Sequence, residues 1–198
     1  MIEISKDLLE HLGGTPTGVL SLFVDSFVRL RKAGDNHYSV DNGIPTIELA
    51  PYGYNNDVAL LHELGHFNAA TDVQLLKPNY GFREYRDMMR KMDGHADVLH
   101  EIRVIALEWN LMEWYGYNPS TEREKYADWL YSSMPGMQNF AKSLGLKSEK
   151  AIIGELRRRF MAAIQMQEAD PKHFFYVWEK KNGFLKDAMS REKQLQSG

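Results

Sequence analysis

The sequence predicts an α+β fold that is mostly helical, and two observations carry this prediction. Only two short stretches, residues 37–40 and 45–50, have the extended character of strands, and a turn at 41–43 separates them. Most of the remaining chain repeats apolar residues every three or four positions, the period of a helix with one buried face. Residues 46–49 alternate polar and apolar side chains, so we expect an edge strand with one buried face.

The helical segments follow one another with recognisable start and stop signals. Helices are predicted over residues 16–32, 58–70, about 95–114, 121–133, 148–167 and 171–189. Thr121 and Glu124 form a candidate capping box. The polar stretch 77–94 is expected to be a loop with a short helix, and residues 190–198 a frayed tail. Without a repeat or a linker, residues 1–198 are predicted to form a single domain.

The composition excludes several classes of site and partner. Hydrophobic residues make up 43% of the 198 positions, enough for a core, and the net charge of −3 argues against a nucleic-acid partner. The absence of cysteine means that any metal site must use His, Asp or Glu. No apolar run has the length of a membrane span, and the charged first ten residues do not resemble a signal peptide. We therefore expect a cytoplasmic protein with no membrane partner.

Residues 61–66 carry the main chemical signal, Leu-His-Glu-Leu-Gly-His. His62 and His66 are four residues apart, so on a helix both imidazole rings project from one face and can bind one metal ion. Glu63 then lies beside the ion as the catalytic acid/base group, able to take a proton from metal-bound water. Two histidines at this spacing can also be ordinary surface or core residues. The apolar neighbours and a suitable carboxylate downstream favour the metal site.

A third metal ligand is needed, and two carboxylates compete for that role. Asp72 lies six residues after His66, where one class of metallopeptidase places its third ligand after a sharp turn. That turn is normally made by glycine, and here Ala69 occupies the position. We therefore expect the helix to continue past Ala69 and Asp72 to face away. Glu101 is the predicted ligand, because a separate amphipathic helix turns it partly inward.

The sequence also permits other interpretations of the helix that carries Glu101. Glu101 could instead be a surface carboxylate paired with Arg103, and His95 and His100 are further candidate ligands. Asp97 and Glu108 lie along the same stripe, where they could orient the imidazole N–H groups or simply be solvated. In the preceding loop, the segment 80–83 is a candidate substrate contact.

This pair of helices resembles the elongation factor P hydroxylase family. The resemblance covers roughly residues 45–120 and rests on four quoted motifs: Ile47-Glu48-Leu49-Ala50, Ala59-Leu60-Leu61-His62-Glu63-Leu64-Gly65-His66-Phe67, Glu101 followed by Ala106-Leu107-Glu108-Trp109, and Gly116-Tyr117-Asn118-Pro119. It implies a minimal zincin-like core, an iron ion and hydroxylation of a protein side chain. The family's Pro-Asp-Gly-Arg loop is only loosely matched by residues 80–85, so the resemblance is compatible with a different substrate for the same chemistry.

A second, shorter resemblance is to the small cytoplasmic peptidases that cleave phage or stress-response repressors. They also have His-Glu-Leu-Gly-His and a later helical glutamate, matched here by residues 62–66 and Glu101. This resemblance implies a zinc ion, with Glu63 activating a zinc-bound water. The edge strand at 46–50 would then pair with an extended peptide.

The sequence thus predicts a metal-dependent enzyme that modifies proteins, with His62, His66 and Glu101 holding one iron or zinc ion and Glu63 as the catalytic residue. The preferred activity is an iron-dependent hydroxylase, with a protein or peptide substrate for which an elongation factor P-like protein is one candidate. The alternative is a zinc metallopeptidase. A non-catalytic module with a structural metal is least favoured, because structural zinc sites are usually closed by four ligands and rich in cysteine.

Replacing His62 or His66 by alanine should remove the bound metal and leave most of the helical structure. Each histidine supplies one of about three protein ligands, whereas the core rests on separate apolar stripes. Elemental analysis and circular dichroism on the same samples measure the two properties. Full metal occupancy in both variants would contradict the predicted site.

Overall fold

The computed structural model describes residues 19, 22, 26–32, 37–41, 44–49, 56–76, 94–116, 125–134 and 136–196. The chain divides into two compact units, Met1–Phe82 with Lys172–Gly198, and Arg83–Pro171. The described residues are mostly helical with one small sheet, which confirms the predicted fold class. Among them, no helix combines the length and apolar character needed to cross a membrane. The single domain stays a prediction, as does the zincin-like core.

The first unit contains a three-stranded sheet whose central strand is the last in sequence. Strands β1 (Arg29–Lys32), β2 (His37–Asp41) and β3 (Ile44–Leu49) are arranged in the order β1-β3-β2. β3 is parallel to β1 and antiparallel to β2, so that Leu30 and Tyr38 both pair with Ile47. The two strands predicted at 37–40 and 45–50 are thereby confirmed.

The prediction that β3 is an edge strand with one buried face is wrong. β1 pairs along the side that was expected to be free, from Thr46 to Leu49. Every residue of β3 from Pro45 onward is buried, including Thr46 at 0% and Glu48 at 2% exposure. The Glu48 carboxylate accepts a hydrogen bond from the Arg31 guanidinium on β1. An ion pair between neighbouring strands thus accompanies a carboxylate that would be costly to bury alone.

β1 also corrects the helix predicted over residues 16–32, because residues 29–32 are extended. Val28 and Leu30 are buried and alternate with half-buried Phe27, Arg29 and Arg31, which is the period of two that strands require. Pairing with β3 supplies the hydrogen bonds that a helix would have made internally. Most of the segment 16–25 lies outside the described residues.

Three helices accompany the sheet in the described residues 56–76 and 173–196 of the first unit. Helix α1 (Asn56–Ala69) packs on β2 and β3 and confirms the helix predicted over 58–70. A short helix α2 (Asp72–Leu75) follows it, and α7 (His173–Gln196) packs against both. α7 matches the predicted helix 171–189 but continues to Gln196, through most of the segment expected to be frayed. The Tyr38 and Phe67 rings meet edge to face, with centroids 6.0 Å apart, where α1 crosses the sheet.

The expectation that α1 continues past Ala69 is also wrong. Thr71 is the N-cap of α2, and a capping box links the side chains of Thr71 and Gln74 to each other's backbone N–H groups. This Thr-x-x-Gln pattern is a helix-start signal, and it starts a new helix two residues after α1 ends. The chain therefore changes direction after Ala69 although no glycine is present at that position.

In the described part of the second unit, four helices form a bundle around α3. These are α3 (Gly94–Trp114), α4 (Lys125–Ser133), α5 (Met137–Ser143) and α6 (Glu149–Ala169). α3 packs on α5 and α6, and α4 packs on α6. From 101 to 111, every residue of α3 except Arg103 is buried. The helix faces that meet form one hydrophobic cluster, which includes Trp109, Leu130, Phe140, Leu156 and Phe160.

The helices predicted over 95–114 and 148–167 are confirmed, as is 121–133 from Lys125 onward. Ser148 caps α6, its Oγ accepting a hydrogen bond from the Ala151 N–H at 3.3 Å. The sequence analysis missed the seven-residue α5. The candidate capping box at Thr121 and the loop at 77–93 lie outside the described residues.

Candidate metal centre

Helix α1 holds the histidine motif in a largely apolar environment. Leu60, Leu61, Leu64 and Phe67 are completely buried and fix the helix to its surroundings. Between residues 60 and 68, only His62 is partly exposed. The histidines therefore lie on a helix that is anchored by packing on several sides, and their rings are constrained more than those of surface residues would be.

The two imidazole rings meet at their Nε2 atoms, which are 3.2 Å apart. The rings are nearly perpendicular, at 81°, with centroids separated by 4.9 Å. Two nitrogen ligands about 2.0–2.1 Å from a tetrahedral zinc ion would lie about 3.3 Å apart. The observed separation is thus the one that two ligands of a single ion need, although it also permits an N–H···N hydrogen bond.

Glu101 is the third member of the group. One nitrogen of each ring and one carboxylate oxygen of Glu101 all lie within 4.8 Å of one another. Glu101 is 3% exposed, so the reading of it as a surface carboxylate paired with Arg103 is wrong, and Arg103 itself is exposed. Two imidazoles and a carboxylate form a donor set that suits zinc or iron. A His-His-Glu cluster could therefore hold one metal ion.

Asp72 lies apart from this group. It is in the first turn of α2 and is exposed to solvent. The chain does turn after Ala69, as a metal-binding Asp72 would require, but the capping box at Thr71 starts a helix that leaves Asp72 on the surface. The predicted path of the chain after Ala69 is therefore wrong, whereas the prediction that Asp72 faces away from the histidines agrees with its exposed position.

Glu63, the predicted acid/base residue, is buried beside the histidines. Its side chain is 3% exposed, and it directly follows His62 on α1. A carboxylate is a suitable proton acceptor and donor when it is held within hydrogen-bond reach of the reacting group. Its catalytic role stays a prediction.

The other residues that the sequence singled out lie in different environments. Glu108 is buried at 1% exposure, and its carboxylate accepts a hydrogen bond from the Tyr126 hydroxyl at 3.1 Å. Trp109 belongs to the core of the second unit, where it contacts Phe160 with ring centroids 4.7 Å apart. His100 is half-buried and is not one of the three grouped ligands. The side chains of His95 and Asp97, and the segment 80–85, lie outside the described residues.

Sequence reasoning missed Lys181, which is close to the end of the motif helix. Lys181 is 7% exposed and donates hydrogen bonds to the carbonyl oxygens of Phe67, at 3.1 Å, and Ala70. A signal was available, because α7 buries Phe174, Trp178 and Leu185 along one stripe. Lys181 falls on that stripe, three residues from Trp178 and four from Leu185. A lysine in an apolar stripe indicates a specific partner for its ammonium group.

No family model, curated protein or solved structure matches this chain. Both resemblances therefore stay expectations based on the motifs alone.

Replacing Glu101 by glutamine should weaken metal binding far more than replacing Asp72 by asparagine. Loss of a charged ligand should exceed the 10- to 100-fold weakening that is typical of changes to groups around the ligands, so we expect about 100-fold or more. Asp72→Asn removes an equal charge from the exposed α2 and should leave the affinity within about twofold. Titration with Zn²⁺ in competition with a chelator measures both. The reverse order of effects would show that Asp72 is the ligand.

Proposed function

We propose that this protein is a metal-dependent enzyme with His62, His66 and Glu101 as its metal ligands. The observation that carries the proposal is that one ligand atom from each of these three residues lies within 4.8 Å of the other two. The buried Glu63 directly follows His62 on the same helix. A structural metal site would normally have a fourth protein ligand, and among the described residues only three group together. An open position with an acid/base group beside it is the arrangement of a catalytic site.

In this proposal the role of each residue follows from its position. The two imidazoles and the Glu101 carboxylate would hold the ion. Glu63 would accept or donate a proton beside it, since it precedes His66 by three residues and follows His62 directly. The buried leucines of α1 restrict the motion of all three α1 groups, and this fixes the distance over which a proton has to move.

Our preferred activity is iron-dependent hydroxylation of a protein side chain. Two histidines and one carboxylate are the ligand set that ferrous iron uses in many oxygenases, where the ion supplies dioxygen activation. The sheet supports this choice over a peptidase. β3 already pairs with β1 and β2, so an extended peptide cannot add to it over Thr46–Leu49. An elongation factor P-like protein is the candidate substrate that the motif resemblance suggests.

The second candidate is a zinc metallopeptidase, and the position of Glu63 favours it. Most helices with two histidines four apart and a glutamate after the first belong to zinc hydrolases, where the ion supplies Lewis-acid activation of water. In this case a peptide would have to bind along β1 or β2, which are the outer strands of the described sheet.

Protein purified without added metal and without oxygen distinguishes the two activities. Bound iron, with dioxygen consumption that depends on a protein substrate, would support the hydroxylase. Bound zinc, with cleavage of a peptide library, would support the peptidase. Protein that takes up neither metal at micromolar concentration would contradict the proposed function.

Replacing Glu63 by glutamine should keep the metal and abolish turnover in whichever assay the wild-type protein responds to. Glutamine preserves the shape of the side chain but cannot accept a proton, and removal of a general acid/base typically costs about 100- to 10,000-fold in rate. Glu113→Gln, at an exposed position of α3, is the matched control. Loss of metal in the Glu63→Gln protein would make Glu63 a ligand, and full activity would exclude both roles.

A further inference from the structure

The last turn of α1 ends abruptly, one turn after His66. In a continuing helix the Thr71 N–H would bond to the Phe67 carbonyl, four residues earlier. Here the Thr71 N–H donates instead to Gln74 Oε1 at 2.7 Å, as part of the capping box that starts α2. The Phe67 carbonyl is thus left without its helical partner at the point where the chain turns. A buried carbonyl in this position needs another donor.

Lys181 supplies that donor from α7. Its ammonium group bonds to the carbonyl oxygens of Phe67 and Ala70. Burial lowers the pKa of Lys181 to about 8, and the nearby Asp72 carboxylate partly opposes this shift. A positive charge at the C-terminal end of α1 is also favourable, because the helix dipole places partial negative charge there. The hydrogen bonds and the dipole offset part of the cost of burying the amine.

Two further contacts join the same turn of α1 to α7. The Asn68 side chain donates from Nδ2 to the Phe174 carbonyl at 3.2 Å. The Phe67 ring meets the Trp178 indole at 62°, with centroids 4.9 Å apart. Phe67, Asn68 and Ala70 all lie within four residues after His66, so this part of the chain is joined to α7 by both polar and aromatic contacts.

We propose that Lys181 is a positioning residue for the metal centre, holding the last turn of α1 so that His66 keeps its orientation toward His62. This inference rests on the proposed function, since it assumes that both histidines bind a metal. Lys181 acts through the Phe67 and Ala70 carbonyls and does not contact the imidazole ring of His62 or of His66. An apolar residue would fill the same place on the stripe of α7 but would leave both carbonyls without this donor, and the turn could then relax.

Replacing Lys181 by methionine tests the inference, because methionine keeps the length and packing of the side chain and removes its donors. Co²⁺ alone is the probe, titrated into metal-free protein while its visible absorption reports both affinity and coordination geometry. We expect Lys181→Met to bind Co²⁺ about tenfold more weakly, as loss of groups that orient ligands does, and with an altered spectrum. Lys181→Arg should stay within about threefold of wild type, because it keeps a cation with several donors.

The matched control is Lys180→Met, which makes the same change at the adjacent, exposed position and should leave affinity and spectrum unchanged. A folded Lys181→Met protein with wild-type affinity and spectrum would overturn the inference, whatever its thermal stability. If that variant does not fold, Lys181→Gln takes its place. A loss of about threefold or more would support the inference, since glutamine is shorter than lysine, carries no charge and has two donors instead of three. Wild-type binding would overturn it. Wild-type protein that does not bind Co²⁺ would instead contradict the proposed function itself.

Discussion

The middle of helix α1 is almost entirely buried, although it carries two histidines and a glutamate. From Leu60 to Asn68 only His62 reaches solvent in part, and Glu63 is 3% exposed. Moving such groups out of water costs several kcal/mol each unless they are bonded or paired. The completely buried leucines and Phe67 on the same helix offset this cost by apolar burial, at about 1.5–3 kcal/mol for each large side chain. The burial of these polar side chains therefore has to be compensated, and binding of a metal ion by the two histidines would compensate part of it.

The same constraint explains why the two ends of the histidine motif are held so differently. Before α1, the central strand β3 is fixed by pairing on both sides and by the Arg31–Glu48 ion pair. After His66, the helix has only one more turn, and the capping box at Thr71 redirects the chain. The Lys181 side chain donates to the Phe67 carbonyl, which lacks its helical partner there, and to the Ala70 carbonyl just after the helix. The first unit thus anchors its histidines by backbone pairing on one side and by a buried cation on the other.

Those parts of the structure that depend on local patterns could be predicted from the sequence. The 3.6-residue period located α1, α3 and α6, and the i, i+4 spacing placed His62 and His66 on one face. Glu101 was selected because it is one turn from buried residues on a long helix, and the structure does bury it near both rings. Each of these inferences needed only the geometry of a single helix and the cost of burying charge.

The errors concern features that depend on partners distant in sequence. Residues 29–32 could be read as helix or strand, and only pairing with β3 decides between them. Whether β3 was an edge strand depended on that same pairing. Lys181 was missed because its partners are backbone carbonyls more than a hundred residues earlier, which no local pattern encodes. The Thr71 capping box, by contrast, is a local pattern, because Thr71 and Gln74 are three residues apart and form a helix start without a glycine.

The metal centre itself can be tested most directly by anomalous X-ray diffraction, on crystals of protein purified without added metal and then soaked in Zn²⁺ at micromolar concentration. The account predicts one strong peak at the zinc absorption edge, about 2.0–2.1 Å from Nε2 of His62 and of His66 and about 2.0–2.2 Å from a carboxylate oxygen of Glu101. No protein atom should occupy the position facing Glu63. A peak bound by other residues, or the absence of a peak between these three side chains, would contradict it.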